Sequence, residues 1–411
     1  MKLYWKQNAG AFLISQLFSV LGSSLVQYSI TWYITLQTKS GIYMTISLLC
    51  TIIPTLILSP FSGVWADRYN KRNLIILADL SIAAVTLIAA VLFAIDQGSV
   101  IVLFIALFLR SLGQAIHNPA INSFIPELVP DEHLTKLNGI NGTIQNFIQI
   151  IGPIIAALLI SFCDLQYIFF IDIFTAIIST CIILLFIKTE RKTLSNVPVK
   201  NTYFEDIKTG LHYIKNTKFL SVLLLYFSVQ VFLLSPVYYL TPLFITQTFS
   251  DSIWSLSLLE ICLTGGMMLG SVFISIKGDF SNKFKALLLS GLFSAAMTAT
   301  MGMGISIWIF LISIIIFGIC NAIFSTICTT FIQQSTDERF LGRVFSFLMM
   351  LNSVLGPIGM SVFGPLADFI PISYILITSS VLLFLSVIAV SFSKSLKEKS
   401  SQLTPSTPDK D

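Results

Sequence analysis

Apolar residues run in long blocks along this chain, and short polar or Pro/Gly-containing breaks separate the blocks. The blocks fall near residues 9–36, 42–64, 73–95, 99–122, 137–161 and 166–187, then near 219–246, 252–276, 285–304, 306–332, 343–366 and 372–393. Each reaches the roughly 20 residues that carry a helix across about 30 Å of hydrocarbon. The pattern therefore predicts twelve membrane helices. Lipid offers no partner to an open backbone, so only helices and closed barrels span it. The blocks lack the alternation over about ten residues that marks a membrane barrel strand, and an all-α membrane protein is expected.

Between residues 188 and 218 the pattern turns polar, with Glu190, Arg191, Lys192, Lys200, Glu205, Asp206, Lys208 and Lys215. This reads as a linker with a short amphipathic helix around 203–214. The expected organisation is a six-helix bundle over 1–187, a cytoplasmic linker over 188–218, a second six-helix bundle over 219–393 and a disordered cytoplasmic tail over 394–411. The two halves echo each other. Asp131-Glu132-His133-Leu134 before the fifth block matches Asp337-Glu338-Arg339-Phe340 before the eleventh, and Gly152-Pro153 matches Gly356-Pro357.

Composition supports this reading: 55% of the 411 residues are hydrophobic, 11% are charged, and the mean hydropathy is +0.87. A water-soluble core could not hide that much apolar side chain, so the bilayer is the solvent. Placing the N-terminus in the cytoplasm puts nearly all of the 24 Lys and Arg inside, leaving Lys39 outside and Arg110 within a block. That bias follows the positive-inside rule and predicts both termini in the cytoplasm. The first apolar block is longer than the roughly 7–15 residue core of a secretion signal and is expected to stay attached as the first helix.

Six scattered cysteines (Cys50, Cys163, Cys181, Cys262, Cys320 and Cys328) form no CxxC or Cys/His cluster, so neither a disulfide framework nor a metal site is implied. No HExxH, nucleophile–base motif or GxxxxGK[ST] appears. An enzyme is not expected, and neither is a cofactor, a nucleic-acid partner or self-contained ATP drive; an attached ATPase subunit stays open. A monomer in the lipid bilayer of the bacterial cytoplasmic membrane is the expected form.

One short charged turn interrupts the apolar pattern: Gly63-Val64-Trp65-Ala66-Asp67-Arg68-Tyr69-Asn70-Lys71-Arg72. An ordinary positive-inside loop would explain Arg68, Lys71 and Arg72, but not the placement of Gly63 and Asp67. This spacing between two membrane-length helices resembles the signature loop of the major facilitator superfamily, Gly-x-x-x-Asp-Arg-x-Gly-Arg-Arg/Lys. Asn70 stands at the second glycine, and Asn tolerates a positive-φ turn better than most residues. The resemblance implies a parallel repeat of six helices around a midplane site. It also implies a gate in which Asp67 faces the start of the eleventh helix near Arg343. The equivalent loop of the second half, with Gly270 and the stretch 277–285, carries no Asp-Arg pair.

Three carboxylates, Asp79, Asp172 and Glu260, and the basic residue Arg110 sit deep within apolar blocks. An uncompensated guanidinium at membrane depth costs about 3 kcal/mol or more, so Arg110 must face a cavity or a partner. Superfamily exporters often carry Arg-x-x-x-Gly in this helix, but in Arg110-Ser111-Leu112-Gly113-Gln114 the glycine falls one position early. Any of the carboxylates is a candidate proton carrier. The superfamily's plan ranks Glu260 in the eighth helix first and reads Asp79 and Asp172, in supporting helices, as structural. His117 reads either as a proton relay or as a hydrogen bonder near a helix end.

Polar stripes at helical spacing occur at Gln16, Ser19, Ser23 and Gln27, at Asn138, Asn141, Gln145 and Gln149, and at Asn321, Ser325 and Thr329. They read either as a wet cavity or as interhelical hydrogen bonding. Gln114, Tyr226, Gln230 and Tyr238 are further candidates to line such a cavity. The runs Ala78-Asp79-Leu80, 108–113, His117-Asn118-Pro119-Ala120, 128–136 and Gly364-Pro365-Leu366-Ala367-Asp368 look like the macrolide-efflux branch of bacterial facilitators. That likeness implies a secondary active exporter of amphipathic drugs by proton antiport, working by alternating access. Relatives in the branch also export siderophores and other metabolites, and a nutrient importer fits less well.

Overall fold

Every apolar block folds as helix in the computed structural model, which describes residues 5–187, 211–249, 252–278, 280 and 282–403. The first six helices are α1 (Trp5–Thr38), α2 (Gly41–Arg68), α3 (Lys71–Ala94), α4 (Val100–Leu128), α5 (Asp131–Phe162) and α6 (Leu165–Phe186). Then follow α7 (Lys218–Tyr239), α8 (Thr241–Thr248), α9 (Ile253–Lys277), α10 (Lys283–Gly302), α11 (Ile307–Ser335), α12 (Glu338–Leu366), α13 (Ile372–Ser391) and α14 (Lys394–Leu403). Twelve of these helices are long and apolar enough to cross a membrane. Local polar residues start several of them. The side chains of Asn70, Ser99, Asn282 and Ser306 accept hydrogen bonds from first-turn amides of α3, α4, α10 and α11, which otherwise lack partners.

Two expectations change here. The seventh block, predicted as one span over 219–246, is broken at Leu240 into α7 and α8. Pro242 falls in the first turn of α8, where its missing N–H leaves no helical bond unmade, whereas inside a continuous helix it would forfeit the bond to the Tyr238 carbonyl. One position earlier, the Val237 carbonyl accepts from Thr241 Oγ1 at 2.6 Å. The tail predicted to be disordered from residue 394 begins with α14. Leu396 is fully buried in an apolar core with Leu220, Leu287 and Val390, and Ser400 Oγ accepts from Phe284 N at 3.1 Å. Of the predicted linker, residues 188–210 lie outside the described residues, as does most of the expected amphipathic helix; residues 211–216 are helical.

The chain divides into two compact units, one of residues 1–39, 46–196 and 252–257, the other of 40–45, 197–251 and 258–411. In the first, α1 packs on α5 and α6, and α3 on α4 and α6. In the second, α10 packs on α11 and α13, and α7 on α12 and α13. The first turns of α2 and α9, second helices of their respective sets of six, each cluster with the other set's unit. Within the second unit, Asp368 accepts from Gly41 N at 2.5 Å, Ile42 N at 3.3 Å and Ser40 Oγ at 2.7 Å. A carboxylate so placed satisfies first-turn amides of α2 and the positive end of its dipole.

Helices α9 and α11 come close enough that only glycine fits at one crossing. A Cβ on Gly318 would lie 2.7 Å from Leu263 O and 2.9 Å from Met267 N, both backbone atoms that cannot swing aside. Gly318→Leu is expected to lower stability by about 1–3 kcal/mol, the usual cost of overpacking. Thermal unfolding of the detergent-solubilised protein, followed by intrinsic fluorescence, reads this out; an unchanged midpoint would contradict the close crossing.

Candidate functional site

Three helices of the first unit each present two polar side chains seven residues apart: Asp79 and Thr86 on α3, Arg110 and His117 on α4, Asp172 and Ser179 on α6. Seven residues is two helical turns, about 10 Å, and places both residues on one face. Because α3 runs against α4 and α6, these pairs align into two layers. One holds Asp79, His117 and Ser179 with Ser19 of α1; the other holds Thr86, Arg110 and Asp172.

In the first layer Asp79 Oδ1 accepts from Ser19 Oγ at 3.0 Å, Oδ2 accepts from Ser179 Oγ at 3.2 Å, and His117 Nε2 lies 3.1 Å from Oδ1. In the second, Asp172 Oδ2 accepts from Arg110 Nη1 at 2.5 Å and from Thr86 Oγ1 at 3.0 Å, while Arg110 also contacts Thr86 directly. Asp79 is 3% exposed, Arg110 2%, Asp172 2% and His117 6%. Gly22 lets α1 come up against Asp172 and Thr175; a Cβ there would lie 2.9 Å from Asp172 Oδ1.

Such burial makes net charge costly, since the bundle cannot solvate it as water does. The two layers together hold two carboxylates and one guanidinium, and the guanidinium does not give up its proton. The cluster is therefore neutral only when one further proton resides on Asp79 or His117. Asp172 has its own fixed cation; Asp79 has a partner that can gain or lose charge.

The second unit holds a cavity of about 310 Å³. Gln230, Ser235, Tyr238 and Tyr239 of α7, Asn321 and Ser325 of α11 and Asn352 of α12 supply its polar lining, with Phe227, Phe324 and Met267 as apolar wall. Gln230 is oriented by donating from Nε2 to Ser386 Oγ at 3.2 Å. Aromatic faces beside amides and hydroxyls suit a ligand that is apolar in bulk and polar at a few atoms. Tyr226 does not line this cavity. It is 2% exposed, packs edge-on against Phe324 and sets its hydroxyl against Gly291.

Of the remaining candidates in the first unit, Gln16 is fully buried with neither amide atom hydrogen-bonded among the described residues. Ser23, Gln27, Gln114 and Gln145 are half-buried on α1, α4 and α5. Glu260 is half-buried on α9 and makes no ion pair or hydrogen bond among the described residues.

The charged loop ties helix ends together. Lys71 Nζ pairs with Glu127 Oε1 at 2.5 Å, and Arg72 donates to the Ile183 and Leu184 carbonyls at 3.2 and 2.6 Å, satisfying the last turn of α6. Arg68 is exposed. Asn70 does not take the positive-φ turn that its glycine-like position led us to expect: φ is −65°, and its side chain caps α3 instead. Nor does Gly63 mark a close helix approach, since a Cβ there would meet no described atom within 4 Å. The Asp67 side chain lies outside the described residues, and Arg343 sits with its guanidinium 5.8 Å from the centre of the Phe340 ring.

Sequence reasoning missed Ser235, Tyr239 and Asn352 on the cavity, and Ser179 and Thr86 in the buried cluster. Asn352 had a usable signal, a lone amide in the apolar block 343–366. The cluster had one as well, in its sevenfold spacing.

Twelve spanning-length helices in two sets of six, with a buried charge cluster and an amphipathic cavity, define a transporter of the facilitator type. The chain belongs to the transmembrane secretion effector family of that superfamily, whose profile matches residues 7–410. It is 29% identical over 385 residues to macrolide efflux protein A of Streptococcus pyogenes, covering 92% of this chain and 94% of the relative. A staphyloferrin A transporter of Staphylococcus aureus is 27% identical over 151 residues, 36% of this chain and 38% of the relative. Among solved structures, a D-xylose–proton symporter superposes with a TM-score of 0.69 at 12% identity over 96% of this chain and 99% of the other, a likeness of fold alone. The chain is thus a multi-pass efflux transporter of the bacterial cytoplasmic membrane.

Proposed function

We propose that this transporter exports amphipathic small molecules of the macrolide type in exchange for protons, working as a monomer with both termini in the cytoplasm. The observation that carries the proton half is the charge balance around Asp79, His117, Arg110 and Asp172, which needs one mobile proton for neutrality. Protonation and deprotonation of the Asp79–His117 pair would change the charge held between α1, α3, α4 and α6. Those helices make up most of the first bundle, so the step is available to bias alternating access. Glu260, unpartnered on α9 among the described residues, is the second carboxylate able to take this role. The amphipathic cavity of the second unit and the likeness to macrolide efflux protein A support the cargo class.

Expression in a pump-deficient bacterial host tests the proposal. Macrolide accumulation is expected to fall severalfold relative to empty vector, and a protonophore is expected to restore it. Efflux that persists after the proton gradient collapses would remove antiport from the reading. The similarity to the staphyloferrin A transporter favours a second reading, export of an endogenous metallophore or metabolite; wild-type drug accumulation together with a new exported product would establish it.

A further inference from the structure

A second cavity of about 310 Å³ lies in the second unit among α9, α10 and α11, and shares no lining residue with the first. Its two ends differ in chemistry. Lys277, in the last turn of α9, and Lys285, in the first turn of α10, stand at one end with Asn282 and Phe280. Ala286, Leu289 and Phe293 continue along one face of α10, opposite Cys320 and Ile323 of α11. Leu289 is 42% exposed and Phe293 51%, so the apolar end opens sideways from the helices instead of closing into a core.

Both lysines are exposed, and neither makes an ion pair among the described residues. Lys277 rests its ammonium 4.7 Å from the Phe280 ring centre and 5.4 Å from that of Phe273, which holds its charge at the cavity mouth. The connecting segment 278–282 carries a single carboxylate in its sequence, Asp279, against the two lysines, so positive charge predominates. Two cations at the ends of membrane helices, without an ion pair among the described residues and leading into an apolar trough about 10 Å long, are complementary to a molecule with an anionic head and a hydrocarbon chain.

We infer that this cavity binds one anionic phospholipid from the bilayer, with its phosphate between Lys277 and Lys285 and an acyl chain lying along Leu289 and Phe293. A free phosphate would use the lysines but gain nothing from the trough; a zwitterionic lipid would fill the trough but bring an ammonium to the lysines. Helix α11 joins this site to the other cavity, since Cys320 and Ile323 face the lipid and Asn321, Phe324 and Ser325 face the polar cavity. The inference rests on the membrane setting and not on any particular cargo.

The test uses the full-length purified protein and native mass spectrometry, with phosphatidylglycerol and phosphatidylcholine of identical acyl chains and, separately, inorganic phosphate. Wild type is expected to retain one phosphatidylglycerol in preference to phosphatidylcholine. The double variant Lys277→Gln/Lys285→Gln should lose that preference by roughly tenfold or more. Phe293→Ala, which keeps both lysines, should weaken retention of phosphatidylglycerol without creating a preference for phosphatidylcholine. Equal retention of the two lipids by wild type, unchanged retention by the double variant, or displacement of the lipid by millimolar inorganic phosphate would each overturn the assignment. The wild-type lipid comparison stands even if a variant fails to fold.

Discussion

Arg110→Leu is expected to be the most damaging single substitution in the first bundle. It would leave the Asp172 carboxylate buried with only the Thr86 hydroxyl as a side-chain hydrogen-bond partner among the described residues. Breaking a buried pair from one side typically costs about 3–5 kcal/mol, because the surviving charge has neither water nor a counter-ion. A marginally stable fold does not absorb such a loss, so little folded protein should reach the membrane. The double variant Arg110→Leu/Asp172→Leu removes both charges and should recover most of the stability, since a well-packed apolar pair often matches the ion pair it replaces. Thermal midpoints of solubilised wild type, both singles and the double complete a mutant cycle. Additive losses in the double would show that the two residues are not coupled.

Asp79→Asn is expected to leave the fold largely intact and remove the proton exchange. An asparagine keeps an acceptor for Ser19 or Ser179, and it no longer requires a charged His117 for neutrality. Uphill, proton-driven efflux should fall at least roughly tenfold, the scale of losing one strongly coupled ionisable group, while downhill exchange of substrate in proteoliposomes persists. The split between the two assays separates coupling from folding, because a misfolded transporter loses both. Normal uphill efflux by Asp79→Asn would move the role elsewhere, and Glu260→Gln would then be the variant expected to show the split.

The membrane spans were legible because hydropathy is a one-dimensional property: roughly 20 apolar residues between polar breaks make a spanning helix whatever its neighbours do. Where α7 ends was not, because Pro242 lies inside an unbroken apolar run and only the backbone shows which carbonyls it frees. The buried ionisable residues were visible as charges, but not their pairing. Which of Asp79 and Asp172 meets Arg110 depends on the rotation and depth of α3, α4 and α6, and hydropathy is blind to both. Yet the sevenfold spacing of Asp79 and Thr86, Arg110 and His117, and Asp172 and Ser179 was present all along and becomes informative once antiparallel neighbours are assumed. Tyr226 and Tyr238, alike in a list of polar candidates, differ in depth and face on α7: Tyr226 is buried against Phe324 and Gly291, and Tyr238 lines the cavity.

Helix α14 carries the folded body past the last spanning helix. Hydropathy fades with the last spanning helix, yet Leu396 completes an apolar core and Ser400 supplies the acceptor for a first-turn amide of α10. A truncation or fusion junction drawn at residue 393 would therefore cut through packed protein, uncovering a leucine pocket and orphaning the Phe284 amide. Tags and reporters should therefore leave residues 394–403 intact, so that their linkers do not compete with the bundle for these turns.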